Sequence, residues 1–285
     1  MLRIVTDGSA DMPDGWQREF DIHIVPIPIQ FGNRTFLQGV DLSNEAFYRL
    51  VRETGMVPKT SLPSPTQFTQ IYPKIAEKDD TILSIHVSSK MSGTFSAAVM
   101  AAQELADQYN IIPIDSGSGS AALGFMCREA RLLEREGASL ARILERLEYI
   151  RQNMGIVMAL DSLDFARMSG RVSALKAALV SMLSVKPIIV LKDGLLGMAE
   201  RVRTRSKSLD RVVEIARQFA ADREVNVAIV HCQDPEAGKS LLQQVKSLLR
   251  CRDLIMTELS ISVAANLGPG TVGIVVYPSG SATSC

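Results

Sequence analysis

The sequence is poor in the residues that mark several large function classes. Four cysteines are scattered through 285 residues, at positions 127, 232, 251 and 285, with no Cys-x-x-Cys pair. That excludes a disulfide framework and fits reduced thiols in a cytoplasmic protein. Three histidines, His23, His86 and His231, stand at unrelated positions, so a zinc site lacks a donor set and no metal is expected. Basic and acidic residues balance at 31 each. A nucleic-acid binder draws its affinity from phosphate contacts and is normally basic, so no nucleic-acid partner is expected. Met1–Asp11 contains no apolar stretch of secretory type. The nearest approach to a membrane span, Ser173–Leu191, is broken by Lys176 and Lys186, and no stable membrane insertion is expected. There is no P-loop and no Gly-x-Ser-x-Gly elbow.

What the sequence does have is a globular composition, 46% hydrophobic and 22% charged, over a length that suits two domains. The first half alternates short apolar strands with amphipathic helices. Strands are expected at Leu2–Asp7, Thr81–Val87 and Ile111–Asp115, with Ile22–Phe31 extended at a sheet edge because of Pro26 and Pro28. Helices are expected at Asn44–Arg52 and Pro65–Ala76, from Thr94 to Tyr109, up to Gly137, and from Ser139 to Asn153. This rhythm predicts a largely parallel α/β sheet covered on both faces. Ligands bind beyond the carboxyl ends of such strands, which directs attention to Asp7-Gly8-Ser9, Ser88–Thr94 and Asp115–Ser120. In the second half, Lys186–Lys192 and Leu196–Arg203 join at Asp193-Gly194, a hairpin signal. A helix over Ala174–Leu183, two further helices and four further strands complete an α+β domain with a mixed or antiparallel sheet. The expected domains are 1–153 and 154–285, and the tail Ser279–Cys285 is expected to be loose.

Several patterns carry less than they suggest. Gly268-Pro269-Gly270-Thr271-Val272-Gly273 fits G-x-G-x-x-G but leads into a strand near the chain end, not into a helix. His231-Cys232 has no further ligands to complete a metal site. His86 precedes a serine-rich loop, which leaves a serine hydrolase using Ser92 as an alternative; a small-molecule phosphotransferase is another. Arg201, Arg203 and Arg205 alternate and are expected on one strand face, as a solvated surface or as a docking surface for an acidic or phosphorylated partner.

Two hydroxyl-rich segments each open a helix: Thr60-Ser61-Leu62-Pro63-Ser64-Pro65, and Ser88-Ser89-Lys90-Met91-Ser92-Gly93-Thr94. A helix start presents unpaired N–H groups and a partial positive charge. Hydroxyls add donors, and Gly93 lets a ligand approach the backbone. Together these make an anion site without a fixed charge. Ser64, with Pro65 and Gln67 after it, reads as a helix cap. Thr60 and Ser61 lie too far upstream for that role, and Ser92 fits either a cap or a ligand contact.

At these residues the sequence resembles the DegV family of bacterial fatty-acid-binding proteins. The signatures run in order along nearly the whole chain: Ile4–Asp11, Thr60–Pro65, Ser84–Thr94, Ile114–Ser116, Ser169-Gly170-Arg171-Val172-Ser173, Lys186–Ile189, Asp193-Gly194, Arg201-Val202-Arg203 and Gly268-Pro269-Gly270. The resemblance implies a carrier, not an enzyme. It would bind one long-chain fatty acid of palmitate or oleate type in a buried pocket between or beside the domains, and present the carboxylate to a fatty acid kinase that makes an acyl phosphate for phospholipid synthesis. It implies no other cofactor. Thr60 and Ser92 match the hydroxyls that hold the carboxylate, with Ser61 and Gly93 beside them. Arg171 matches an arginine associated with kinase docking, and Arg201 and Arg203 are candidates for the same surface. Asn266 stands where the family often has a carboxylate-contacting histidine, Leu62 where it often has glutamine, Gly8 where serine is common and Ser169 where glycine is common. Asparagine donates a hydrogen bond but carries no proton charge. Met154, Met158, Met182 and the helix Ala174–Leu183 are candidates for the pocket wall or for ordinary core.

Overall fold

The computed structural model describes residues 1–173 and 185–280. The expected helix Ala174–Leu183, with Met182, and the end of the expected loose tail lie outside the described residues. The chain divides into two compact units, Met1–Leu147 with Ser260–Ser262, and Glu148–Leu259 with Val263–Cys285.

In the first unit the elements run β1 (Leu2–Asp7), α1 (Trp16–Glu19), β2 (Ile22–Val25), β3 (Pro28–Phe31), β4 (Arg34–Leu37), α2 (Asn44–Thr54), β5 (Lys59–Thr60), α3 (Pro65–Ile75), β6 (Thr81–His86), α4 (Thr94–Glu104), β7 (Asn110–Asp115), α5 (Ala121–Arg135) and α6 (Leu140–Asn153), within which the division falls. Four strands form a parallel sheet in the order β2-β1-β6-β7. Their near-continuous apolar runs suit strands buried on both faces. Val5 packs with Phe68 and Tyr72 of α3 and with Ala97, Ala98 and Ala101 of α4. The next residue, Thr6, lies beside Cys127 of α5. Successive side chains point to opposite faces, so α5 covers the other side.

A second, three-stranded antiparallel sheet, β4-β3-β5, was not expected from the sequence. It forms because Gly32, at φ +57°, turns the chain tightly between Phe31 and Arg34. The expected single extended stretch Ile22–Phe31 is therefore two strands in two sheets. The expected helix from Thr94 to Tyr109 ends at Glu104. Beyond it Gln108 and Tyr109 both donate back to the Leu105 carbonyl, a separate turn that returns the chain to the sheet.

In the second unit the order is β8 (Gly155–Ala159), α7 (Asp164–Ser169), β9 (Val172–Ser173), β10 (Lys186–Lys192), β11 (Leu195–Val202), α8 (Arg205–Ala220), β12 (Val225–His231), α9 (Pro235–Leu248), β13 (Cys251–Glu258), α10 (Ile261–Leu267), whose first two residues belong to the first unit, and β14 (Val272–Pro278). Seven strands form one mixed sheet, β13-β12-β14-β8-β10-β11-β9. Lys192 pairs with Leu195 across Asp193-Gly194, both at positive φ, so the expected hairpin forms. The core joins Val212, Val213, Ala216 and Ala220 of α8 and Leu241 and Val245 of α9 to the strands. The three arginines expected on one strand face separate here: β11 ends at Val202, and Arg205 is the first residue of α8. Thr204 caps that helix by accepting the Lys207 N–H, and Arg205 pairs with Asp234 at 2.5 Å.

Candidate functional site

The first unit brings the two hydroxyl-rich segments together. Thr60 ends β5, where it pairs with Ile29, and Ser61 N–H donates to the Pro28 carbonyl at 3.0 Å. This short pairing stiffens Thr60 and Ser61 independently of α3. Ser64 forms a full capping box with Gln67, as the sequence suggests. Between them Leu62 is 47% exposed and reaches across to the second segment. A Cβ placed on Gly93 would stand 3.0 Å from Leu62 Cδ2. Gly93 thus leaves room for the close approach of the two segments.

The second segment follows β6. Ser88 N–H donates to Ser118 O, and Met91 and Ser92 N–H both return to Ser88 O. Ser89 Oγ binds the Asp115 carboxylate at 2.5 Å. The cap position of α4 is Gly93, which offers no side chain, so Ser92 lies one residue outside the cap. Ser92 Oγ accepts from Thr94 N–H at 3.3 Å and stands 2.8 Å from Thr94 Oγ1. Ser92 is half-buried and Thr94 fully buried. The start of an eleven-residue helix, two hydroxyls and an open glycine are suited to hold a small anion. Lys59 and Lys90, both exposed, add positive charge on the two segments.

The same unit holds a buried polar chain that joins α3, β6 and β1. Tyr72 hydroxyl stands 2.8 Å from Ser84 Oγ, Ser84 Oγ stands 2.6 Å from His86 Nε2, and His86 Nδ1 stands 3.0 Å from Asp7 Oδ2. Asp7 also accepts from Val87 N–H, Ser9 N–H and Ser9 Oγ. Burial by itself would raise the Asp7 pKa, but the hydrogen bonds and charge of His86, with Ser9 and Val87, outweigh it and hold the carboxyl below its usual range. Burial raises the Tyr72 hydroxyl well above its ordinary value, with a smaller opposing effect from Ser84, so it stays protonated. The order Asp–His–Ser resembles a hydrolytic triad, yet all three side chains are 0% exposed. Both His86 nitrogens are occupied by Asp7 and Ser84, which leaves none to activate Ser92.

A second junction was also missed. Asp11 accepts from Ser120 Oγ at 2.5 Å and from Ser260 N–H at 2.7 Å. Gln38 donates to Gly8 O at 2.7 Å and accepts from Ser262 N–H at 3.0 Å. These bonds tie Ser260–Ser262 to residues more than two hundred positions earlier. Ser120, at φ +59° and ψ −146°, occupies backbone space normally left to glycine.

In the second unit Arg171, exposed after the left-handed Gly170, folds back on the Ser169 carbonyl. Arg201 is exposed, with Nε 3.0 Å from Met198 Sδ, and Arg203 is exposed just beyond β11. Met158 is buried against Gly273, whereas Met154 is half-buried. Asn266 lies on α10, half-buried. Gly268 and Gly270 adopt positive φ and lead into β14, so the glycine pattern is a turn and not a dinucleotide loop. No group of three or more metal-binding side chains, and no helix long and apolar enough to cross a membrane, occurs among the described residues.

Comparison with known proteins agrees over nearly the whole chain. The model of a family described as an uncharacterised protein, DegV family, matches residues 1–279. The chain belongs to the DegV family. DegV-domain proteins of Streptomyces coelicolor and Deinococcus radiodurans are 32% and 30% identical, over 96% and 97% of this chain and 98% of each relative. Among solved structures, a fatty-acid-binding DegV protein from Thermus thermophilus is 29% identical with a TM-score of 0.89, covering 97% of this chain and 99% of that one. DegV of Bacillus subtilis, described as a fatty acid binding protein, gives 27% and 0.87 over 98% and 99%. A stearic-acid-binding protein from Eubacterium ventriosum gives 26% and 0.90 over 98% of each chain. The DegV fold of these neighbours is the α/β architecture found here.

Proposed function

We propose that this DegV protein is a carrier for one long-chain fatty acid, with Thr60 and Ser92 gripping the carboxylate and Ser61 and Gly93 shaping the slot. The observation that carries the reading is the meeting of the Thr60–Leu62 and Ser92–Gly93 segments at the start of α4, in a fold whose solved relatives are fatty-acid binders. Asn266 enters through the family resemblance alone. Energetics divide the labour. A sixteen-carbon chain gains on the order of 12 kcal/mol gross at about 0.8 kcal/mol per buried CH₂, against an association cost of about 4–15 kcal/mol. Each hydrogen bond to the carboxylate adds about 1.5–3 kcal/mol. The tail therefore supplies affinity, while the uncharged hydroxyls orient a head group that stays reactive and releasable.

In this reading the carrier has no turnover of its own and hands the carboxylate to a separate fatty acid kinase. The exposed Arg171, Arg201 and Arg203 form the docking surface. Denaturing mass spectrometry of the purified protein should show a co-purifying fatty acid of palmitate or oleate type. Thr60→Ala with Ser92→Ala should slow acyl-phosphate formation by the kinase. Protein that is always lipid-free and does not take up added palmitate or oleate would refute the carrier; unchanged phosphorylation in the double variant would refute the grip.

A further inference from the structure

The buried chain Tyr72–Ser84–His86–Asp7 does more than fill the core of the first unit. Burying four hydrogen-bonding side chains is costly unless every one is satisfied, and a satisfied network fixes one geometry. The two oxygens of an ionised Asp7 can only accept, so His86 Nδ1 carries the proton between them. Ser84 Oγ links His86 Nε2 to the Tyr72 hydroxyl, so each side chain of the run has a partner.

The chain also begins and ends where the anion slot is built. Tyr72 belongs to α3, whose capped start follows directly from Thr60–Ser64. Phe68, one turn earlier, lies edge-on to the His86 ring, with centroids 5.1 Å apart. At the other end Asp7 holds the N–H of Val87, the residue that leads into Ser88–Thr94. Ser88, the next residue, supplies the carbonyl to which Ser92 N–H returns. One side of the slot is thus registered through α3 and the other through the end of β6, on the same run of hydrogen bonds.

We propose that Tyr72, Ser84, His86 and Asp7 are positioning residues, which set Thr60 against Ser92 and so determine how strongly the protein prefers a carboxylate head group to an uncharged one. The proposal rests on the carrier reading. All four side chains are fully buried.

The test compares palmitate with 1-hexadecanol, which shares the tail but lacks the charge, by displacement of a fluorescent fatty acid from the full-length protein. Tyr72→Phe removes one hydroxyl and keeps the ring; Ser84→Ala breaks the next link. Each variant should weaken palmitate about tenfold and leave hexadecanol within about twofold, so that the preference ratio falls. A purely structural role would lower melting temperature and affect both ligands alike. An unchanged ratio in both variants, with wild-type protein binding palmitate, would overturn the positioning role and leave the carrier reading standing. Wild-type protein that binds neither ligand would overturn the carrier reading itself, and this inference with it.

Discussion

Replacing Gly124 by alanine puts a methyl where the structure has no room. Gly124 lies in the first turns of α5, and a Cβ there would stand 2.3 Å from the Asp11 carbonyl oxygen. Contacts below 3.0 Å essentially never occur, so the Asp11 backbone must retreat by about 0.7 Å. That residue cannot move freely. Its N–H donates to Ser120 O at 3.2 Å, and its carboxylate accepts from Ser120 Oγ and Ser260 N–H. Crowding of a packed interior costs about 1–3 kcal/mol, and loss of one hydrogen bond to a charged group about 1.5–3 kcal/mol. Alanine recovers about 1 kcal/mol through its better helix propensity. The net expectation is a loss of about 1.5–5 kcal/mol. The chain supplies its own reporter, because its single tryptophan, Trp16, packs 5.9 Å from Phe125, the residue next to Gly124. Urea unfolding followed by Trp16 fluorescence reads the first unit alone. With m of about 1–3 kcal/mol/M, the midpoint should fall by on the order of 1–2 M. A midpoint that is unchanged or raised would mean that propensity wins and that the loop after β1 yields easily, which would refute the tight junction at Asp11.

Asp7 gives a pH prediction. Its pKa is depressed in the folded state, so its stabilisation is complete at neutral pH and is lost as pH falls below about 4 and through the folded value. Asp7→Asn should flatten the acid limb of a stability-against-pH curve; an unaltered acid limb would show that other carboxyls dominate it. Gly273→Ala should destabilise the second unit by about 1–3 kcal/mol, since the methyl would stand 2.5 Å from Met158 Cγ and 2.7 Å from the Val157 carbonyl; amide exchange along β14 reads this, and undiminished protection would contradict it. Thr204→Ala removes the cap of α8 and should cost about 1 kcal/mol in denaturant unfolding. Charge reversal of Arg171, Arg201 and Arg203 should slow acyl-phosphate formation while palmitate affinity holds; a fall in affinity instead would place these residues in ligand binding.

Much of this molecule is legible because its signals are local. The capping box at Ser64, the left-handed Asp193-Gly194 turn and the apolar runs of β1 and β6 each lie within a few residues, and each forms as the sequence suggests. What escaped reading is what depends on distant partners. The strand β5 has two residues and exists because Ile29 and Gln30 stand ready to pair with it. Arg205 continues the alternation of Arg201 and Arg203 by spacing, yet Thr204 turns it into a helix. The proposed anion slot is an intermediate case. The residue types at two helix starts point to it, but only the approach of Leu62 to Gly93 shows that the two segments share one place.

The buried chain did leave a trace in the sequence. Ser84 and His86 interrupt the apolar run Thr81-Ile82-Leu83-Ser84-Ile85-His86 at alternate positions, which puts both on the same face of β6. A polar side chain on a strand covered on both sides must find a partner. Two of them on one face call for a network, and the acid at the end of the neighbouring strand, Asp7, is the natural terminus for it. A serine or histidine within the apolar run of a parallel strand is therefore informative in its own right. It marks where the fold accepts the cost of buried polarity, and in this DegV protein that place is tied to Val87, the residue that leads into Ser88–Thr94.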